Sequence, residues 1–252
     1  MIDLAQAFTD AEVVALYRHR PPYPDAVFDR LRSLLTGPRV ILDLGCGTGA
    51  LARHLVDGVA RVDAVDPSAA MLAAGRALPF GTDPRIHWQH ARAEDARLAG
   101  PYGLITCGAS LHWMKHDVVL PKLQRTLAPG ARVAIVDTER HRDDDDLRRA
   151  VVELIVRYSP VRDHAETPEV VDRLVTAGAF VLEGIERTAP VPFEQSVEEY
   201  VGSLGSTASL SRATLGPRAD DFARELRALY LRHRVDRVRY GVVGYVAWGR
   251  PA

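Results

Sequence analysis

A stretch from Asp43 to Asp66 holds the residues of this chain whose types and spacing are best suited to chemistry. Asp43 closes an apolar run, Gly45, Gly47 and Gly49 follow it as G-x-G-x-G, and Asp66 stands 21 positions beyond Gly45. Glycines so placed let the backbone turn sharply and let a ligand lie against it with no Cβ between them. The dinucleotide fingerprint is spaced G-x-G-x-x-G and puts a pyrophosphate on a helix N-terminus, where the Asp43 carboxylate would repel it. A cationic amino group would instead gain a charge-assisted hydrogen bond. Asp66 matches the acid, about 20 residues on, that takes ribose hydroxyls in nucleoside-binding sheets. The ligand expected from the spacing carries an ammonium near the loop and a nucleoside beyond it. Strand-end or helix-capping acids use the same residue types, and the joint spacing favours the ligand.

Other reactive side chains are less decisive. His112, beside Trp113 in "SLHWM", follows the fourth apolar run. Three roles stay open for it: catalysis or acceptor positioning, contact with the ligand, and loop packing. Tyr23, His116 and Tyr200 are weaker candidates, and His19 reads as solvated. The run Asp143 to Asp146 reads as a solvated helix start, since consecutive acids on a helix point apart and acids in a first turn complement its dipole. No metal site is expected. Cys46 and Cys107, the only cysteines, lack metal-ligand spacing and read as buried thiols in a reducing compartment.

These residues must be held by strands alternating with helices. "RVILDLG", "RVDAVD", "RIHWQH", "YGLITCG" and "ARVAIVD" read as five strands. Between them, "ALARHLVDG" reads as a helix stopped by Gly58, "SAAMLAAGRA" as one started by Ser68, and "HDVVLPKLQRTLAPG" as one ended by Gly130. That alternation means crossover units and a parallel, doubly wound sheet. A helical stretch, "DDDDLRRAVVELIVRY", interrupts it before "PEVVDRLVTAGA" and the strand "FVLEGIERT". A second insert contains "VEEYVGSLGSTASL", whose glycines suggest mobility, and "DDFARELRALYLRH". The closing strand "GVVGYVAWGR" fits an edge strand running against the others.

Composition narrows the function classes. The 32 basic residues are balanced by 33 acidic ones, for a net charge of −1, so there is no positive excess of the nucleic-acid-binding kind. No apolar run reaches the ~18 residues of a membrane span, and "MIDLAQAFTD" has acids where a leader has positive charge. A soluble, cytoplasmic protein is expected.

"LDLGCGTG", "VDAVDPSAAML", "ARAED", "LITCGASLHWM" and "LAPGARVAIVD" resemble, in order and spacing, the successive motifs of class I S-adenosylmethionine-dependent methyltransferases. "YRHRPPYP" with the late insert is similar to the small-molecule group that includes trans-aconitate methyltransferases. The resemblance implies an α/β fold, a Rossmann-like, doubly wound, seven-stranded, mostly parallel sheet with an antiparallel edge strand and helical lid insertions. It implies a single domain over 1–252: an N-terminal helical lid segment at 1–35, a cofactor core at 36–140, and insertions at 141–165 and 195–238.

Residue by residue, the resemblance makes Asp43 and the loop of Gly45, Cys46, Gly47 and Gly49 the methionine end of the site. It makes Asp66 the ribose ligand, with Pro67, Ser68 and Met71 toward the adenine and Ala93 and Glu94 at its edge; Arg92 stands where relatives often have Asp. Cys107 to Ala109 and His112 would line the sulfonium side. Tyr17 and Arg20 would close over the cofactor, Arg20 pairing its carboxylate; a polyproline-type linker with a solvated Arg is the other reading. The implied reaction is methyl transfer to a small molecule, leaving S-adenosylhomocysteine, with neither nucleic acid nor membrane as partner, by a monomer or homodimer. A cyclisation or pericyclic step in the same pocket is the alternative.

Overall fold

The computed structural model describes residues 4–142, 145–161 and 165–252. Along them run α1 (Ala11–Leu16), α2 (Asp25–Leu34), β1 (Val40–Leu44), β2 (Arg61–Asp66), α3 (Ala69–Ala77), β3 (Ile86–His90), β4 (Tyr102–Gly108), α4 (His116–Thr126) and β5 (Leu127–His141). After these come α5 (Asp146–Tyr158), α6 (Thr167–Thr176), β6 (Phe180–Arg187), β7 (Val191–Ser196), α7 (Val197–Gly205), α8 (Arg212–Leu215), α9 (Arg218–Arg232) and β8 (Arg237–Pro251). They form two compact units. The sheet unit takes Tyr23–Glu139, Ala165–Ala189 and Val243–Ala252; the helical unit takes Met1–Pro22, Arg140–His164 and Pro190–Val242.

In the sheet unit the strand order is β3-β2-β1-β4-β5-β8-β6. The β1–β2, β1–β4, β2–β3 and β4–β5 pairs are parallel, and β6–β8 is antiparallel. Alternation along each central strand feeds two cores. Leu42, Leu44, Ile105, Val133 and Ile135 pack with Val119 and Leu123 of α4 and Val171 of α6, whereas Ile41, Leu104, Ala134 and Val136 pack with Val27 and Leu31 of α2. A strand buried on both faces needs such an unbroken apolar run.

The closing strand is antiparallel, as expected, yet it lies one place inside the edge and β6 takes the outer position. Burial explains the exchange. Val243 to Ala247 are buried without interruption, while β6 leaves Val181 and Ile185 exposed. The unit boundary also falls at Pro22, so α2, within the expected 1–35 segment, packs on the sheet through Val27, Phe28, Leu31 and Leu34.

Two expected elements take other forms. "ALARHLVDG" is a 3-10 turn at Ala52–His54, confined between Gly49 and Gly58, both at φ +73°, and too short for helix propagation to outweigh nucleation. Helix α4 ends at Thr126 rather than at Gly130, because Leu127 is already extended and pairs with Tyr102.

The helical unit has its own core, with Leu147, Val151 and Leu154 of α5, Val201 and Leu204 of α7, and Phe222, Leu226 and Leu229 of α9. β7 pairs antiparallel with residues 237–242 of β8. Asp145 caps α5 by accepting from the Arg148 N–H, and Asp146 follows in its first turn, the helix start expected there; Asp143 and Asp144 lie outside the described residues. The α7 glycines serve close packing instead of mobility, since a Cβ on Gly202 would come within 2.8 Å of the His19 ring and 3.2 Å of Leu16. His19 is thus half-buried against α7, not solvated. Among the described residues no helix is long and apolar enough to cross a membrane.

Candidate functional site

At the carboxyl ends of β1, β2 and β4 the structure brings together Asp43, Gly45, Cys46, Gly47, Gly49, Asp66, Pro67, Ser68, Cys107 and Ala109. The glycine turn owes its shape to backbone that only glycine adopts readily, with φ of +73° at Gly45, +54° at Gly47 and +73° at Gly49. Neighbours press on it as well. A Cβ on Gly45 would stand 2.4 Å from Ser110 Cβ, and one on Gly49 would stand 2.4 Å from the Trp88 ring.

Both acids engage backbone N–H groups around this turn. Asp43 is 1% exposed; one carboxylate oxygen accepts from the Ala52 N–H at 3.1 Å and the other from the Thr106 hydroxyl at 2.9 Å. Asp66 accepts from the Gly47 N–H and from the Ser68 N–H, each at 2.8 Å. The Ser68 hydroxyl in turn caps α3 by accepting from the Met71 N–H at 3.1 Å. Burial pushes the Asp43 carboxyl up to about 7, against the hydrogen bonds from Thr106 and Ala52 and helped by the charge of Asp66. Burial also raises Asp66, opposed by the Ser68 and Gly47 N–H groups. Two desolvated carboxylates beneath a turn of close-approach glycines favour a ligand that brings positive charge and hydroxyl donors.

The loop after β4 is fastened to the glycine turn. Ser110 Oγ donates to the Leu44 carbonyl at 2.7 Å. Ala109 holds a left-handed φ of +45°, a strain that persists only where surrounding contacts impose it; its N–H donates to the Val136 carbonyl at 2.8 Å. A Cβ on Gly108 would come within 2.9 Å of the Tyr23 hydroxyl, which places that phenol at the end of β4. His112 lies in the 3-10 turn at Leu111–Trp113, its ring 4.5 Å from that of Trp113. His116 starts α4 and its Nε2 bonds the Leu111 carbonyl at 3.0 Å.

Ala93 and Glu94 sit on the turn after β3, held by Lys122 Nζ, which donates to their carbonyls at 3.0 and 2.9 Å. The Glu94 carboxylate accepts from the Lys115 N–H at 2.8 Å. Cys46 and Cys107 are buried thiols whose acidity burial suppresses. Tyr17 and Arg20 belong to the helical unit. There Arg20 donates to Ser206 Oγ at 2.9 Å and to its carbonyl at 2.7 Å, and stacks 4.2 Å from the Tyr17 ring centre. It is therefore a held guanidinium rather than a solvated linker residue. Tyr200 is buried in the core of that same unit.

The motif reading passed over Thr106, Ser110 and Trp88. Thr106 could have been found from strand register, since it pairs directly with Asp43. Ser110 and Trp88 gave no sequence signal, because what they do is press on glycines from other strands. Among the described residues no cluster of three metal-ligating side chains occurs.

The chain is similar to known proteins. Residues 41–130 match the family model described as a methyltransferase domain. An uncharacterized methyltransferase of Mycobacterium bovis is 35% identical over 176 residues, 66% of each chain, so the match spans just under two thirds of that relative's length. The trans-aconitate 2-methyltransferase of Streptomyces avermitilis is 36% identical over 118 residues, 45% of this chain and 44% of its own. Among solved structures, a protein from Anaeromyxobacter dehalogenans whose assignment as a type II methyltransferase is provisional superposes with a TM-score of 0.62 at 26% identity. The superposition covers 92% of this chain and 97% of that one. A methyltransferase of Geobacter sulfurreducens in complex with S-adenosyl-L-homocysteine shares the fold, with a TM-score of 0.51 at 16% identity over 92% and 93% of the two chains. The glycine turn and the acids beneath it lie within residues 41–130, the stretch that matches a methyltransferase domain, and the chain is similar in sequence and in fold to methyltransferases.

Proposed function

We propose that this protein transfers a methyl group from S-adenosylmethionine to a small-molecule acceptor, most simply one that attacks through a carboxylate. The observation that carries the reading is the glycine turn at φ above +50° at all three glycines, joined to Asp66 by the hydrogen bond from the Gly47 N–H and lying over buried Asp43. The residues present fit the cofactor. Gly45, Gly47 and Gly49 leave backbone open to close approach, Asp66 offers a carboxylate for the ribose hydroxyls, and Asp43 sets negative charge near the amino end. Ser68, Met71, Ala93 and Glu94 would flank the adenine, and Ala109 and His112 would line the sulfur side.

The cofactor supplies an electrophilic methyl group on a sulfonium when bound. The chain's task is to hold an acceptor in line with it and keep water out, and orientation alone supplies up to ~7–11 kcal/mol in well-aligned systems. Carboxylates and amines attack without losing a proton first, whereas hydroxyls and carbon acids need a base. His112 is the ring available for that work, either as base or by positioning the acceptor.

The test is incubation with methyl-labelled cofactor and a panel of di- and tricarboxylic acids, with amine and phenol arms. Labelled ester and stoichiometric S-adenosylhomocysteine are expected. An isomerised substrate with the cofactor unconsumed and no label transferred would turn the reading toward a cyclase; no binding of the cofactor would end both.

A further inference from the structure

We infer that Lys122 determines specificity for the cofactor's base: by holding two carbonyls of the turn after β3 it leaves that turn a hydrogen-bond donor, which suits adenine and rejects hypoxanthine. The inference rests on the methyltransferase reading, in which Ala93 and Glu94 stand at the adenine edge, and gives Lys122 a positioning role there.

The polar groups of the turn can be accounted for one by one. Lys122 Nζ, from α4, donates to the Ala93 carbonyl at 3.0 Å and to the Glu94 carbonyl at 2.9 Å. The Arg92 carbonyl accepts from the Asp95 N–H at 3.1 Å and from the Ala96 N–H at 2.8 Å. The Glu94 carboxylate accepts from the Lys115 N–H at 2.8 Å and from its own N–H, and it pairs with the Arg92 guanidinium at 3.5 Å. The Ala91 N–H donates to the Asp66 carbonyl at 3.1 Å, which ties the turn to the end of β2. One buried donor is left over. Ala93 is 7% exposed, and among the described residues its N–H has no acceptor, whereas buried N–H groups are ordinarily paired.

What keeps a donor in that place is the ammonium. Lys122 is half-buried, and its head group carries donors and no acceptor, so both carbonyls it holds are turned toward Nζ by charge-assisted bonds. A peptide that swung to aim a carbonyl at a ligand would take an acceptor from a partly buried charge, a costly exchange. The turn therefore meets a base with an N–H. The Watson–Crick edge of adenine presents a ring nitrogen that accepts. Hypoxanthine, with a carbonyl in place of the amino group, carries a hydrogen on that nitrogen. The Ala93 N–H thus faces an acceptor in the first base and another donor in the second, and a site built to hydrogen-bond rejects the ligand that leaves its buried groups unpaired.

Calorimetry with S-adenosylhomocysteine and S-inosylhomocysteine, which differ only at that edge of the base, tests this on the full chain and on its Lys122→Met and Lys122→Arg variants. The unsubstituted chain is expected to favour S-adenosylhomocysteine about tenfold or more. Lys122→Met, which keeps the stem and removes the donors, should narrow that ratio roughly fivefold or more. Lys122→Arg, which again offers donors to both carbonyls, should restore most of it. A thermal melt checks each fold; should Lys122→Met unfold early, Lys122→Gln, without the charge, takes its place under the same expectation. A merely structural lysine would weaken both ligands alike and leave the ratio where it was. An unchanged ratio in Lys122→Met, or no preference for adenine in the unsubstituted chain, overturns this inference and, with S-adenosylhomocysteine still bound, leaves the methyltransferase reading standing. Failure of the unsubstituted chain to bind S-adenosylhomocysteine overturns both.

Discussion

The two units handle charge in opposite ways. The sheet unit buries Asp43 and Asp66 and satisfies them mainly with backbone N–H groups of the turns they sit beneath. The helical unit sets Arg140 and Arg142 on tyrosine rings and hydroxyls and satisfies them with side chains. The first arrangement favours a ligand that brings positive charge. Backbone donors come from consecutive residues and travel as a motif, whereas side-chain platforms are assembled from distant segments. The first kind of site can be read in a sequence, and the second needs the fold.

The largest effect that would sharpen this contrast comes from the backbone itself. Gly45→Ala combines a left-handed residue, ~1–2 kcal/mol, with a Cβ 2.4 Å from Ser110, an overpacking worth ~1–3 kcal/mol. Gly178→Ala, at φ +68° with nothing within 4 Å, should lose only the first part. Urea denaturation of the pair measures the difference; equal losses would mean that Ser110 does not press on the turn.

Next in size is Asp66→Ala. It removes the acceptor of the Gly47 and Ser68 N–H groups and should weaken cofactor binding by ~1.5–3 kcal/mol, as expected for charged hydrogen bonds. Calorimetry with S-adenosylhomocysteine reads it directly, and unchanged affinity would remove Asp66 from the site.

Asp43 adds a pH dependence. Its folded carboxyl titrates at about 7 against an ordinary 3.8, chiefly through burial. Between those values the unfolded chain is ionised and the folded one is not, so unliganded stability from this group falls as pH rises from about 4 to about 7 and is level above. A cation binds the ionised form, so cofactor affinity should rise with pH by up to about tenfold per unit below 7 and flatten above it. Asp43→Asn should flatten the whole profile. A profile unchanged by that substitution would assign the titration elsewhere.

How much of this was legible follows from where the constraints sit. The βα alternation, the glycine turn, the Ser68 cap and the antiparallel last strand were all written in local pattern. The place of β8 inside the sheet was also written, in the unbroken run from Val243 to Ala247, but period alone does not separate an edge from an interior. The turn at Ala52–His54 was not legible, because its residues have helical spacing and only the flanking glycines at positive φ cut it short. Thr106, Ser110 and Trp88 act across strands, and the Arg140 cluster joins β5, α7, α9 and β8, so neither left a local trace. The α7 glycines carried a real signal, close packing against Leu16 and His19, that sequence alone does not tell from mobility.

The smallest expected effect tests how much the helical unit's many ion pairs contribute. Arg227 grips Glu198 through two hydrogen bonds of 2.7 Å, and the Arg227 guanidinium lowers the Glu198 carboxyl. Both side chains are largely in solvent, at 46% and 66% exposed, where water and salt screen most of the attraction and such pairs contribute about 0–1 kcal/mol. Glu198→Gln should therefore shift unfolding by less than about 1 kcal/mol, and a double-mutant cycle with Arg227→Gln should leave a coupling that shrinks as salt is added. A coupling that is larger and insensitive to salt would show that this unit is held together by its charges. The contrast between the two units would then be one of what holds each fold together, backbone donors in one and charge pairs in the other.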